Sequence, residues 1–322
     1  MTQKTHWLID VAGAATGGSA RYYRELRAYL DEHQRHDQIS VIGEGSRLTP
    51  QWLLKREIAG RDAANRISLN NASFWHGPER NKTLLGNILH FAGPSDFNPL
   101  GFKPTTELKM QIPLIRQLAK RSANLIAPSS RMAEQVASSC PALADRIQVR
   151  FHPIATPEWA GTEPVRRSEV LMPIIPQPYK NLGLHALQFL EETEKSPEVQ
   201  LTIPSCSDQI PELEGHPRVK FIGHQTSEEL EIWWQECQAV FFPPEFEAFG
   251  YPLAEARVYG RSVIAHDNSQ QRELAGNALH GYNKDRKGSL GRAVSDALQD
   301  SPNPDGKPFN PTDYFDWMLV PI

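Results

Sequence analysis

Ala239–Ala265 reads AVFFPPEFEAFGYPLAEARVYGRSVIA, and this stretch decides the fold. AVFF is a short apolar run of the kind found in a strand covered on both faces. Pro243-Pro244 ends it, because proline offers no ladder donor. Gly250 allows a close backbone approach, and Pro252 stands where the opening of a helix tolerates a missing N–H. The helix runs LAEARVY and stops at Gly260, and RSVIA begins the next strand. Such a unit belongs to an open parallel α/β sheet and aims the helix's leading amides past the strand's carboxyl end, where these sheets bind ligands. Glu247 precedes the helix and Glu255 is expected in its first turn, so both acids can face one mouth. Carboxylates accept hydrogen bonds from vicinal hydroxyls, whereas amides and the helix dipole suit phosphate. The combination suits a sugar nucleotide.

Outward from this unit, the same alternation recurs in both directions. HWLIDVAG (His6–Gly13) reads as a buried strand, followed by a small-residue loop with Gly17 and Gly18 and a helix on which Tyr22, Leu26, Tyr29 and Leu30 repeat at helical spacing. The glycines are not spaced as G-x-G-x-x-G, so a dinucleotide is not indicated. ISVIG, SFWHGPE (Ser73–Glu79), GNILHFAGPSDFNP (Gly86–Pro99), NLIAPS and RIQVRFHPI are read as further strands, with His76 and His90 at strand ends. A helix is expected to begin near Ser129 or Ser130. ATPEWAGTEPVRRS lacks apolar periodicity and reads as a hinge. A second series runs through EVLMPII, KNLGLHALQFLEE, VQLTI, VKFIG, SEELEIWWQEC and AVFFP. Two αβ series joined by a linker imply two doubly wound sheets with a cleft at their carboxyl ends.

The chain has 322 residues, enough for two ordinary domains. Hydrophobic residues make up 39% and charged residues 22%, the balance of a water-soluble globular chain. A net charge of −4, with the two signs mixed, speaks against general nucleic-acid or membrane-surface binding. Cys140, Cys206 and Cys237 are odd in number and far apart, which implies neither a disulfide framework nor a zinc knuckle and suits a cytoplasmic setting. No signal peptide or membrane span is read, although weak peripheral contact with a membrane through a local patch stays open. There is no Asp-x-Asp pair and no histidine cluster at ligand spacing, so neither metal nor cofactor is expected.

Glu247-Ala-Phe-Gly-Tyr-Pro-Leu-Ala-Glu255 resembles the E-x7-E motif of retaining GT-B glycosyltransferases of the family 4 type, the glycosyl transferases group 1. That motif usually reads E-G-F-G-x-P-x-x-E-A and leads into a G-x-P-V-I-A strand, so Ala248 and Ser262 depart from it. Gly17, Gly18, Arg21, Tyr22, Glu25 and Leu26 resemble the family's G-G-x-x-R-Y-x-x-E-L opening, and Lys180-Asn181 its K-N pair. His90 resembles the histidine of its T-x-H-D segment, with Phe91 in place of the aspartate. The arginine five residues before the lysine is absent, and Ile175 stands there; Arg166, Arg167, Arg21 and Arg131 are candidates to replace it in space.

The resemblance implies a GT-B architecture of two Rossmann-like domains facing each other across a cleft. It would place an acceptor-side domain at residues 1–158, a hinge at 159–168, a nucleotide-sugar domain at 169–305 and a helix at 306–322 that crosses back. It further implies a hexosyltransferase-type enzyme that moves a sugar from a nucleotide diphosphate sugar to an acceptor hydroxyl with retention. The acceptor, whether saccharide, lipid-linked or small molecule, is not specified. Glu255 would hold the ribose, and Glu247, Ala248, Phe249 and Gly250 the donor sugar. Lys180 and the Gly17-Gly18 loop would neutralise the diphosphate, and His90 would position the sugar or acceptor. Two other readings are a glycosyltransferase-like binder with little turnover, which Ile175, Phe91 and Ala248 motivate, and a GT-B epimerase.

Overall fold

Two six-stranded sheets, parallel throughout, carry the chain. The computed structural model describes residues 6–14 and 17–321. In chain order the first sheet is built from β1 (Trp7–Asp10), β2 (Ile39–Ile42), β3 (Asn65–Ser68), β4 (Asn81–Leu84), β5 (Asn124–Ala127) and β6 (Ile147–Val149). Its helices are α1 (Gly17–Glu32), α2 (Pro50–Ala59), the single turn α3 (Pro94–Phe97), α4 (Thr106–Ala119) and α5 (Ser130–Ser139). The second sheet comprises β7 (Arg166–Leu171), β8 (Gln200–Ile203), β9 (Val219–Phe221), β10 (Cys237–Phe242), β11 (Ser262–His266) and β12 (Leu279–Tyr282). Around it lie α6 (Leu182–Glu192), α7 (Ser227–Glu236), α8 (Tyr251–Tyr259), α9 (Ser269–Ala275) and α10 (Ser289–Ala297), and α11 (Pro311–Met318) closes the chain. Two units result: Met1–Ala155 with Glu247–Phe249 and Phe309–Ile322, and Thr156–Phe246 with Gly250–Pro308.

The first unit orders its strands β2-β1-β3-β4-β5-β6. One of its clusters joins Trp7, Ile9 and Val11 of the first strand and its exit to Tyr22, Leu26, Tyr29 and Leu30 of α1, the residues whose spacing predicts a buried stripe. Tyr314, Phe315 and Met318 of α11 complete that cluster. Tyr29 donates to Asp316 at 2.6 Å, and Lys82 donates to the carbonyls of Met318 at 2.8 Å and Val320 at 2.6 Å. The two Lys82 bonds serve carbonyls left over where α11 ends.

The structure corrects the middle of this unit. Ser73–Glu79 and Gly86–Pro99 are not strands; the latter holds a tight turn at Ile88–Phe91 and the short α3. The strands at these places are instead NRIS (β3) and NKTL (β4), buried throughout despite their polar letters. Surrounding backbone takes up most of their donors: the Asn81 amide nitrogen donates to the carbonyls of Phe74, His76 and Arg121, at 3.0, 3.2 and 3.0 Å. Arg66 likewise donates to Gly60 and Gly77 carbonyls at 3.4 and 3.1 Å. A buried polar group costs little once it is hydrogen-bonded, so hydropathy misreads such strands.

In the second unit the order is β12-β11-β10-β7-β8-β9. Strand β10 is buried at every position, as a central parallel strand must be. Strand β7 begins earlier than the apolar run suggests and ends at Leu171, leaving Met172–Gln177 as loop. Its Arg166 is held at this amino end by Glu236 at 2.7 Å and Glu169 at 3.1 Å. Arg261 seals the far end of α7, donating to the carbonyls of Trp234 at 3.0 Å and Gln235 at 2.8 Å.

Candidate functional site

In the second unit the strand order turns between β7 and β10, which lie side by side with Val170 opposite Ala239 and Leu171 opposite Val240. Open α/β sheets bind ligands outside the carboxyl ends of the strands at such a point. After β7 the chain makes a tight turn at Pro178–Lys180, passes through Asn181 with left-handed backbone (φ 47°, ψ 42°) and enters α6. Asparagine tolerates that conformation better than most residues. Lys180 is half-buried, its ammonium 5.8 Å from the Tyr179 ring centre.

After β10 the loop ends at Gly250, also left-handed (φ 85°), and α8 starts at once with Tyr251 and Pro252. A methyl group on Gly250 would meet Leu253 Cδ1 at 3.0 Å and the Phe242 ring at 3.2 Å. The turn therefore needs glycine for both conformation and space. Gly260 closes the helix, left-handed at φ 69° with its N–H on the Ala256 carbonyl. Neither α6 nor α8 has a side-chain cap at its start or an acid in its first turn. Helices α2, α4, α5, α7, α9 and α11 carry side-chain caps, at Thr49, Thr105, Ser129, Thr226, Asn268 and Asn310, whereas α10, which starts after Gly288, shares the open start of α6 and α8. The two helices that follow the turning strands thus keep the positive end of the dipole uncompensated by their own sequence.

Glu255 is the fifth residue of α8, which begins at Tyr251, so it falls one residue past the first turn expected for it, and it is buried. Glu247, Ala248 and Phe249 group with the first unit. There the Ala248 carbonyl accepts from Ser129 Oγ at 2.6 Å, while the same oxygen caps α5 through Met132 N at 3.2 Å. The Phe249 ring meets the edge of the His152 ring at 5.0 Å. Burial pushes the His152 imidazole down to about 3, so it is neutral at physiological pH. Glu247 is half-buried.

Gly17 and Gly18 open α1 in the first unit, Gly17 with φ 63°. His90 sits beyond the carboxyl end of β4, within the tight turn at Ile88–Phe91. Its Nδ1 is 3.0 Å from Asn71 Nδ2 and its Nε2 3.4 Å from Gln111 Oε1. Burial lowers its pKa to about 4. Phe91, standing where the family pattern has aspartate, is fully buried.

Ile175 is 52% exposed in the loop after β7. Arg166 and Arg167 cannot stand in for an arginine there. They open β7, roughly 16 Å of strand away from its carboxyl end, and Arg167 is paired with Glu163 at 3.1 Å.

Sequence reading missed a polar cluster at the turning point of the first sheet. Asp10 ends β1 opposite Ser68 of β3, is fully buried, and pairs with the equally buried Arg56 at 2.7 Å. Its carboxylate also accepts from Ala12 N at 3.0 Å, Trp52 Nε1 at 3.1 Å and Asn70 Nδ2 at 3.3 Å. In sequence the sole signal is an aspartate closing an apolar strand. A second cluster missed by sequence reading lies at the carboxyl ends of β11 and β12, where His266 Nε2 is 3.1 Å from Tyr282 OH and 3.4 Å from Glu245. Among the described residues no three His, Cys, Asp or Glu side chains converge as metal ligands. No helix among them is long and apolar enough to cross a membrane.

Residues 205–306 match the family model described as glycosyl transferases group 1. No curated protein matches the chain by sequence. Among solved structures the chain is similar to Anabaena Alr3699/HepE, in complex with UDP and glucose, at 14% identity and TM-score 0.61, covering 98% of this chain and 100% of that one. It is similar to WaaG, a glycosyltransferase involved in lipopolysaccharide biosynthesis, at 11% identity and TM-score 0.65 over 91% and 90%. A glycosyltransferase from Rickettsia africae ESF-5 matches at 14% identity and TM-score 0.63 over 92% and 89%. The fold is accordingly that of GT-B glycosyltransferases: two Rossmann-like α/β units, each on a parallel six-stranded sheet.

Proposed function

We propose that this protein transfers a sugar from a nucleotide diphosphate sugar to an acceptor hydroxyl, as a retaining glycosyltransferase of the hexosyltransferase type that needs no metal ion. The observation that carries the proposal is the pair of helix starts without side-chain caps, α6 and α8, which follow the adjacent strands β7 and β10; of these, β10 and α8 lie in the segment that matches the group 1 model. Helix starts of this kind favour negative charge, and a diphosphate presents it. Lys180, at the entry to α6, adds a point charge for the departing diphosphate. Glu255 would take the ribose hydroxyls, and Glu247 with the Ala248-Phe249-Gly250 backbone the sugar hydroxyls. Gly17 and Gly18, at the start of α1, would approach the phosphates with backbone amides. His90, neutral through burial, suits a hydrogen-bonding part beside the sugar or acceptor and not that of a cation. Retention would follow if the leaving phosphate takes the acceptor's proton on the face it departs from.

The test is release of nucleoside diphosphate from UDP-, GDP-, ADP- and dTDP-sugars, each first screened by thermal shift. Saturating donor at 100 times its Kd raises stability by about 2.7 kcal/mol. Lys180→Ala and Glu247→Ala should each lower turnover roughly 100- to 1,000-fold, the loss typical of one preorganised charged group. Wild-type binding without release would instead support the second reading, a binder with little turnover. Exposed Ile175 favours that reading, because an aliphatic side chain in the loop after β7 cannot share the phosphate charge. Ile175→Arg should then raise turnover.

A further inference from the structure

A cavity of about 510 Å³ opens at the amino-terminal edge of the first sheet, lined by Trp75, Glu79, Gln117, Lys120, Arg121 and Arg146 among others. Pro78–Arg80 leads into β4, Ala123 precedes β5 and Arg146 precedes β6, so this is the edge opposite to the loops that carry Gly17, Gly18 and His90. The volume falls within the range of about 300–1,000 Å³ usual for small-molecule sites.

Three cations meet here. Lys120, Arg121 and Arg146 are exposed, and none forms an ion pair among the described residues. Glu79, the acid in the lining, is engaged by Arg80 at 3.6 Å. Arg146 donates to the carbonyls of Lys120 at 3.1 Å and Ser122 at 3.4 Å, just past the end of α4. The dipole of α4 presents about half a negative charge there, which accounts for one of the cations and not for three. Like charges gathered in a concavity repel one another, and an anion relieves that cost.

Trp75 adds a second observation. Its ring is 48% exposed at the rim, with the Arg121 guanidinium 4.4 Å from its centre. The backbone N–H of Trp75 donates to Glu57 at 2.7 Å, which holds the chain at the base of the ring. An anchored, partly open aromatic face beside a guanidinium offers an apolar plane next to an anion site. Gln117 and Glu79, both exposed, supply donors and acceptors matched to hydroxyls.

We infer that this cavity is a binding site for an anionic monosaccharide, a hexose phosphate whose ring lies on Trp75 and whose phosphate meets Lys120, Arg121 and Arg146. The site is independent of the donor-binding proposal and uses none of its residues.

Calorimetric titration with glucose 6-phosphate tests it, with glucose, inorganic phosphate and UMP as comparison ligands. Glucose 6-phosphate should bind saturably and glucose should not. A Lys120→Gln/Arg121→Gln variant should bind at least about tenfold more weakly, since it removes two charged donors to the phosphate. Trp75→Ala should weaken glucose 6-phosphate and leave inorganic phosphate unchanged. Lys120 and Arg121 are exposed, so thermal midpoints should stay near that of wild type, and the single Lys120→Gln variant reads the same loss if the double variant does not fold. Absence of saturable binding, equal affinity in wild type and variants, or UMP or phosphate binding as tightly as glucose 6-phosphate overturns the assignment.

Discussion

The two sheets turn at equivalent places, β1 beside β3 and β7 beside β10, and they treat those places in opposite ways. In the first unit the strands end in Asp10 and Ser68, and a buried guanidinium, an indole N–H, an amide and a backbone N–H close around the Asp10 carboxylate. In the second the strands end in Leu171 and Phe242, and the helices beyond start without caps. One turning point is filled by the protein's own charges, and the other leads into helix starts that carry no side-chain cap and no first-turn acid. A doubly wound sheet supplies the location, and local side chains decide whether it becomes structure or site.

That contrast breaks first at Asp10. Removing one member of a buried ion pair strands the other charge, and Asp10→Ala should cost about 3–5 kcal/mol of stability. Chemical denaturation measures the loss, while donor release per folded molecule should stay near wild type. A variant that keeps its stability and loses donor release would place Asp10 in the working site and dissolve the contrast.

Much of the fold was legible, and the contrast explains where legibility failed. Strand β10, the glycine-closed α8 and the stripe on α1 follow from apolar period, glycine and proline alone. Strands β3 and β4 did not, because their asparagine, arginine and lysine are buried against carbonyls distant in sequence; Lys82 and Met318 are 236 positions apart. The Asp10–Arg56 pair spans 46 positions and carries no local period. For the candidate site, the short-range features, Gly250, Pro252 and the Lys180 turn, are visible in one stretch of chain. The depth of Glu255 depends on where α8 starts, which a one-residue change in the turn resets.

A smaller effect separates the histidines of the first unit from solvent. The pKa of His90 is lowered by burial to about 4, and that of His152 to about 3. The unfolded chain then binds more protons than the folded one between those values and the ordinary histidine pKa of about 6.5. Stability is therefore full above about pH 6.5 and falls as the pH drops, by about 1.4 kcal/mol per pH unit for each histidine. Burial also lowers the pKa of His185 in the second unit to about 4 and lowers that of His266, so urea midpoints taken at intervals from pH 7 to pH 5 should trace the summed slope, and His90→Gln should flatten it by about a third or less. An unchanged slope in that variant would mean that His90 exchanges protons as freely folded as unfolded, which its burial argues against.

The smallest effect sharpens the open turning point. Gly250→Ala puts a side chain at φ 85°, a left-handed conformation that costs an L-residue about 1–2 kcal/mol, and its methyl would press on Leu253 and Phe242. Relief requires the turn to open or α8 to start later, and either change moves the amides proposed to face the donor. Donor affinity should therefore fall by more than the loss of stability explains, a comparison that calorimetric Kd and denaturation midpoint make together. A variant equally destabilised but with wild-type donor affinity would show that the start of α8 is only a tight turn, and the filled and open turning points would then differ in packing and not in purpose.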